Sequence, residues 1–411
     1  MGLFKLANIG SIAYTRAMKV TIIHNLYPPY ARGGAEQVVF KTVQGLVEAG
    51  HSVVVITLGL RPEIEKKGEV TIYRLRQKNI FSYLDAHKHN FLARLCWHIF
   101  DICNKNSSRS VENILRQEKP DVVHTHNLMG IGFLIPRLIR SLKIPHVHTV
   151  HDVQLVEPSG IILKQKENSW RYRGFVTRVY AAIMRRLFGS PHVVISPSQF
   201  LLQFYEKWGF FQNSERVVLR NPVMLDVSDS VKKQSEVFRF LYLGQIESHK
   251  GVLFLAEIFC HFLKKSPVAS ELHVVGSGSK LQELHELVGR EERIKIHGRL
   301  EHSELSAVFE TVDITVVPSL CYENSPTVIF ESFSYKTPVL ASNIEGIAEL
   351  IKEGENGLTF FSGNEKSLSQ KLQWCVDHRS EVRRMGLLGR EGIELLSREK
   401  YLDTLLELYR F

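Results

Sequence analysis

The stretch VPSLCYENSPTVIFES, residues 317–332, decides how the chain is read. It starts as a β-branched apolar strand and stops at Pro318. A polar loop carrying Glu323 and Asn324 follows. Ser325 then reads as a helix N-cap and Pro326 as a first-turn residue, with the helix running over 327–333. The start of a helix presents unpaired N–H groups and a partial positive charge. Backbone amides near Ser325, Pro326, Thr327 and Val328 would therefore hold a phosphate without a side-chain charge. Glu331 lies about one and a half turns into that helix, where a carboxylate can accept both ribose hydroxyls. Glu323, ahead of the helix, is placed for the hydroxyls of a sugar. Each Glu taken singly is an ordinary surface charge; their setting among Tyr, Pro and apolar residues is what singles them out.

Outward from this stretch, short β-branched runs alternate with longer helical patterns. Ahead of it the strand candidates are 20–24, 53–57, 70–75, 122–126, 146–150 and 193–196, separated by helical stretches that include 35–49, 90–117 and 199–208. Several runs are apolar without alternation, as parallel strands covered on both faces are. The polar stretch 226–236 reads as a linker. The alternation restarts with strands at 238–243, 272–275, 294–297, 314–317 and 338–341 and helices including 252–263 and 304–310. Repeated strand–helix–strand units imply an α/β chain with two doubly wound, Rossmann-like halves, 18–224 and 237–395. Residues 1–17 lack a signal-peptide core and read as a flexible extension ahead of Met18; residues 396–411 form one more helical stretch. Two such halves face each other across a cleft at the carboxyl ends of their strands, where these folds bind ligands.

The loops after strands carry the remaining signals. In NLYPPYARGGAEQ, residues 25–37, Gly33 and Gly34 precede a helix, which suits either a tight turn or a close approach to phosphate. In GQIESHKG, residues 244–251, Lys250 sits at a helix mouth and can reach a diphosphate as a point charge, although most lysines are simply solvated. VVGSGS, residues 274–279, resembles half of a dinucleotide fingerprint; it lacks the third glycine, so Gly276 points to a nucleotide resting nearby rather than to NAD. HTVHD, residues 148–152, ends a strand of the first half, directing His151 into the cleft with Asp152 as the residue to orient it. His124 and His126 share one strand face, a metal-like spacing without a third ligand.

Composition narrows the class. The charge is +9, from 52 Lys plus Arg against 43 Asp plus Glu, and it is spread along the chain. No basic arm or nucleic-acid motif appears, so nucleic acid is not an expected partner. The five cysteines fit no zinc spacing or disulfide framework, which implies a reducing, cytoplasmic setting. Cys96 and Cys103, seven apart in a helical pattern, read as core residues. No apolar run is long enough to cross a bilayer. Residues 170–188 interleave five arginines with aromatic and aliphatic residues, a pattern suited either to a solvated helix or to one resting on anionic lipid.

Together these motifs resemble glycosyltransferase family 4, the group 1 retaining enzymes of the GT-B fold. GGAE, GHSVVVIT (50–57), KPDVVHTHN (119–127), HTVHD, SPSQF (196–200), RNPV (220–223), the GQ…HKG loop, VVGSGS, the E-x7-E pair Glu323/Glu331, TPVLASNIEGIAELI (337–351) and ENGLTF (355–360) follow in the family's order. The resemblance implies a nucleotide-diphosphate-sugar donor, with His151 on the transferred sugar, Gly33, Gly34 and Lys250 at the diphosphate, Glu323 on sugar hydroxyls, Glu331 on the ribose and Glu349 in a loop near the nucleotide. Two departures stand out. Gln245 replaces the usual arginine, removing a charge-assisted contact, and 152–163 lacks the expected aromatic, cysteine-rich motif.

The implied chemistry is front-face transfer with retention, in which the acceptor proton passes to the donor phosphate. No D-x-D triplet is present, so no cofactor and no metal are expected. The expected acceptor is a glycan or a lipid-linked glycan of cell-surface polysaccharide or lipopolysaccharide synthesis, with an anionic membrane surface as a partner and a peripheral position on its inner face. The rival readings are a non-catalytic nucleotide-sugar or glycan-binding module and a GT-B sugar-nucleotide epimerase.

Overall fold

The computed structural model describes residues 17–30, 33–77, 79–83, 89–222, 232, 235–393 and 397–411. The extension at 1–16 and most of the linker at 226–236 lie outside the described residues.

The front sheet contains β1 (Lys19–Ile23), β2 (Ser52–Gly59), β3 (Glu63–Lys67), β4 (Val70–Arg76), β5 (Val122–Thr125), β6 (His146–Thr149), β7 (Val193–Ser196) and β8 (Glu215–Val218). Their order is β3-β4-β2-β1-β5-β6-β7-β8, parallel except for the β3–β4 hairpin. The rear sheet contains β9 (Phe238–Leu243), β10 (Ser270–Val275), β11 (Ile294–Gly298), β12 (Ile314–Val317), β13 (Val339–Ser342) and β14 (Gly357–Phe360), in the order β11-β10-β9-β12-β13-β14 and parallel throughout. The two sheets are the facing Rossmann-like halves of a GT-B fold. In the front sheet the order reverses at β1, and in the rear sheet at β9. The loops that leave β1, β9 and β12 therefore open at topological switch points, where the helices diverge and leave a crevice.

β5, β6, β7, β12 and β13 are buried along their whole length, which explains their apolar runs without alternation. β3, β8 and β14 escaped sequence reading. β3 is mostly exposed and charged, and β8 sits at a sheet edge with two of its four residues exposed. The pattern at 90–117 is two helices, Phe91–Ile102 and Lys105–Glu118, because Asn104 accepts from Ser107 N and caps a new start. Cys96 and Cys103 are exposed, so they are not the core residues their spacing suggests. The described part of the linker is tethered: Lys232 Nζ donates to Phe309 O and Val312 O, both at 2.7 Å.

The last helix, Arg398–Leu408, returns to the front half and lies against helix Gly34–Glu48. Tyr401, Leu402, Leu405, Leu406 and Tyr409 join Val39, Val43 and Leu46 in one core, and Tyr409 Oη lies 2.6 Å from His124 Nδ1. Leu405 is fully buried there, so Leu405→Ala should cost about 2–5 kcal/mol in denaturant unfolding.

Asp101, at the end of helix Phe91–Ile102, is also fully buried. Burial pushes its carboxyl up to about 7, against the pull of the Gly130 N–H at 2.8 Å. The folded state thus holds this proton more tightly than the unfolded chain. The associated stability is complete below the ordinary aspartate value and is lost as pH rises through about 7. Between pH 5 and 8 the native chain should lose about 3 kcal/mol relative to Asp101→Asn, read from paired denaturation curves.

Candidate active site

The cleft between the sheets encloses about 710 Å3, within the usual range for a small-molecule site. Its lining includes twelve of the residues singled out from sequence: Gly33, Gly34, His151, Gln245, Lys250, Gly276, Glu323, Ser325, Pro326, Thr327, Val328 and Glu331.

The rear wall is built on three loops. Lys250 ends a short 3-10 turn after β9, and its Nζ lies 2.6 Å from Glu323 Oε1. Ser319 Oγ donates to the same oxygen at 3.0 Å. Burial lowers the Lys250 pKa, but the Glu323 carboxylate more than offsets this and leaves it raised, so the ammonium stays charged. Helix Thr327–Ser334 starts where its sequence suggests, but its cap is Pro326 and not Ser325, whose Oγ bonds no backbone amide there. Pro326 has no N–H, so the amides that lack a partner within the helix are those of Thr327 and Val328. Glu331 is raised by burial, countered by a bond from Thr327 one turn back.

Gly276 shows why this wall needs a glycine. Its φ is +144°, and a Cβ there would lie 1.8 Å from Gly244 O. The β9 and β10 loops are laced together at this point: Gly244 N donates to Val275 O and Ile246 N to Ser277 O. Tyr242 Oη adds a bond to Gln245 O at 2.6 Å.

The front wall comes from β1, β5 and β6. His151 is held by His126, Nε2 to Nδ1 at 2.9 Å, and not by Asp152, whose carboxylate is engaged by Gln154 N and Asn127 Nδ2. Burial drives His151 down to about 4, and His24, His124 and His126 well below their ordinary value, so these imidazoles are neutral. His124 is no metal ligand, because Tyr409 Oη and Thr149 Oγ1 engage its two nitrogens. Among the described residues no three His, Cys, Asp or Glu groups are arranged to hold a metal ion.

The walls touch. A methyl group on Gly34 would lie 3.1 Å from Thr327 Cγ2. Asn324 Nδ2 donates to His151 O at 2.8 Å, and Asn221 Nδ2 to Ser325 O at 3.2 Å. Residues 162–164, at the end of the divergent stretch, pair with the Glu323 loop: Tyr322 N donates to Ile162 O at 2.8 Å and Lys164 N to Leu320 O at 2.9 Å. Glu349 does not line the cleft; its carboxylate caps helix Gln199–Lys207 of the front half, accepting from Gln199 N and Phe200 N at 2.9 and 2.6 Å. Sequence reading gave no role to Asn324, Asn221, Ser319 or Tyr242; the partners of the two asparagines lie far along the chain, whereas Ser319 and Tyr242 bond residues of their own loops.

Comparison with known proteins agrees with this architecture. The family described as Glycosyltransferase Family 4 matches residues 32–227, and Glycosyl transferases group 1 matches residues 237–378. The chain belongs to the group 1 glycosyltransferases and is a glycosyltransferase. It is 26% identical over 338 residues to an uncharacterized 42.6 kDa protein in the cps region of Klebsiella pneumoniae, covering 81% of this chain and 87% of that protein. It is 23% identical to the putative teichuronic acid biosynthesis glycosyltransferase TuaC of Bacillus subtilis, covering 81% and 83%. Among solved structures, Anabaena HepE in complex with UDP-glucose superposes with a TM-score of 0.69 at 15% identity, covering 95% and 99%.

Gly276→Ala should destabilise the rear half by about 1–3 kcal/mol in denaturant unfolding, because a Cβ there must displace the Gly244–Gln245 loop.

Proposed function

We propose that the chain moves a sugar from a nucleotide-diphosphate-sugar donor to an acceptor hydroxyl with retention of configuration, without a metal. One observation carries the reading. Lys250, Glu323 and the first amides of helix Thr327–Ser334 converge on one side of a cleft whose other side is the neutral His151 wall.

The donor diphosphate would lie along Lys250 and the Thr327 and Val328 amides, with its ribose on Glu331 and its sugar between Glu323 and His151. As the bond from the anomeric carbon to phosphate oxygen breaks, negative charge grows on the leaving nucleoside diphosphate. The fixed ammonium and amides stabilise it without reorganising. The acceptor oxygen bonds to the same face of the anomeric carbon, and its proton passes to the departing phosphate oxygen. Gln245 adds hydrogen bonds but no charge, so the cationic role beside the diphosphate rests more heavily on Lys250. The UDP-glucose complex of the structurally similar HepE supports a nucleotide-sugar donor.

The acceptor is proposed to be a cell-surface polysaccharide, lipopolysaccharide or lipid-linked glycan, supported by the relatives from a cps region and from teichuronic acid biosynthesis. Helix Phe175–Phe188 supports a peripheral position on the inner face of an anionic membrane: it exposes Phe175, Val176, Val179 and Ile183 among its arginines.

Purified protein offered a panel of UDP, GDP and ADP sugars should slowly hydrolyse one of them, and Lys250→Met and Glu323→Ala should each lower that rate about 100- to 1000-fold. Binding without turnover would favour the glycan-binding module, an isomerised donor the epimerase. An inverted anomeric product, resolved by NMR, would rule out retention.

A further inference from the structure

Helix Phe91–Ile102 turns its apolar side outward. Leu92, Leu95, Cys96 and Ile99 recur at three- and four-residue spacing and so form one stripe. Leu92 is 69% exposed, Leu95 45%, Ile99 57% and the adjoining Phe100 62%. The opposite face fastens the helix through Trp97, which is 2% exposed and donates Nε1–H to Phe81 O at 2.8 Å. Among the described residues no role in the core or in the cleft accounts for the outer stripe.

Charge and position identify what covers it. Arg94 is exposed on the same helix. Helix Phe175–Phe188 adds a second exposed apolar row with Arg178, Arg185 and Arg186. The two helices border one patch of core: Tyr180 feels the charge of Asp101, while Phe133 packs on Phe188 and donates its amide to Asp101 O. Both also adjoin the cleft. Tyr83, which lines it, stacks against Trp97 with ring centres 6.1 Å apart. Leu163, beside the cleft-lining Gly160 and Ile161, donates its amide to Tyr172 Oη in the short helix that leads into Phe175–Phe188. Aliphatic and aromatic residues edged by arginine are the composition of a helix lying at the boundary between headgroups and acyl chains.

We propose that the face formed by Leu92, Leu95, Ile99 and Phe100 inserts into the surface layer of an anionic bilayer and holds the Tyr83 side of the cleft against it. A lipid-linked acceptor would then reach the site from the membrane plane. The acceptor part rests on the transferase reading; the lipid contact does not.

Cosedimentation of the full chain with vesicles of phosphatidylcholine alone, and of phosphatidylcholine with phosphatidylglycerol, tests the idea. The native chain should bind the anionic vesicles, and Ile99→Ser/Phe100→Ser should bind at least about tenfold more weakly at low and high salt. Its melting temperature and lipid-free donor hydrolysis should stay unchanged. Arg178→Ser/Arg186→Ser should lose only the salt-sensitive part. Undiminished vesicle binding by the double serine variant would overturn the proposal. So would a lipid-free dimer that this variant turns into monomer, since the stripe would then belong to a second copy. Should no donor be hydrolysed while the serine variant still loses its vesicles, the lipid contact stands and the transferase reading falls.

Discussion

The loop from Ser319 to Asn324 is gripped from both halves of the molecule, and the geometry of the site depends on that grip. From the rear, Lys250 and Ser319 fix the Glu323 carboxylate. From the front, residues 162–164 bond its backbone and the carbonyl of His151 receives Asn324. Hydrogen bonds in a partly dry crevice are stiff, because breaking one leaves a desolvated donor without a partner. Glu349 adds a further link, a carboxylate of the rear half seated at the positive start of a front-half helix. The structure is thus a closed arrangement, with the acid of the rear wall already facing the histidines of the front.

The two walls differ in electrostatic character, and that difference sorts the ends of a bound molecule. On the front wall His151, backed by His24 and His126, is an imidazole that burial keeps uncharged, able to donate and accept without bringing a charge of its own. The rear wall combines an ammonium with the start of a helix. A molecule with a phosphate end and a hydroxyl-bearing end has one favourable orientation between them.

The fold and most of the cleft were legible in the sequence because both depend on local signals. Strands covered on both faces read as apolar runs, and glycine or proline after a strand marks where the backbone must turn near a ligand. Contacts across long separations were not legible. Nothing near His151 says that its partner is His126 and not the adjacent Asp152, since the pairing exists only once β5 and β6 lie side by side. The cap of the helix at 327–334 was misread because Ser325 is a good cap by type, yet Pro326 took the position. Helical spacing likewise reveals a stripe but not which way it faces, and so Cys96 was assigned to the core while the structure leaves it outside.

The return of helix Arg398–Leu408 to the front half bears on how the protein is made. Val39, Val43 and Leu46 share their core with Leu402, Leu405 and Leu406, which a ribosome adds more than 350 residues later. Throughout translation the N-terminal half emerges with that apolar surface bare, and its packing is completed only after residue 408 has left the exit tunnel. A nascent chain stalled before that point would expose a sticky half-domain, so the front half completes its core only after the whole rear half has been made.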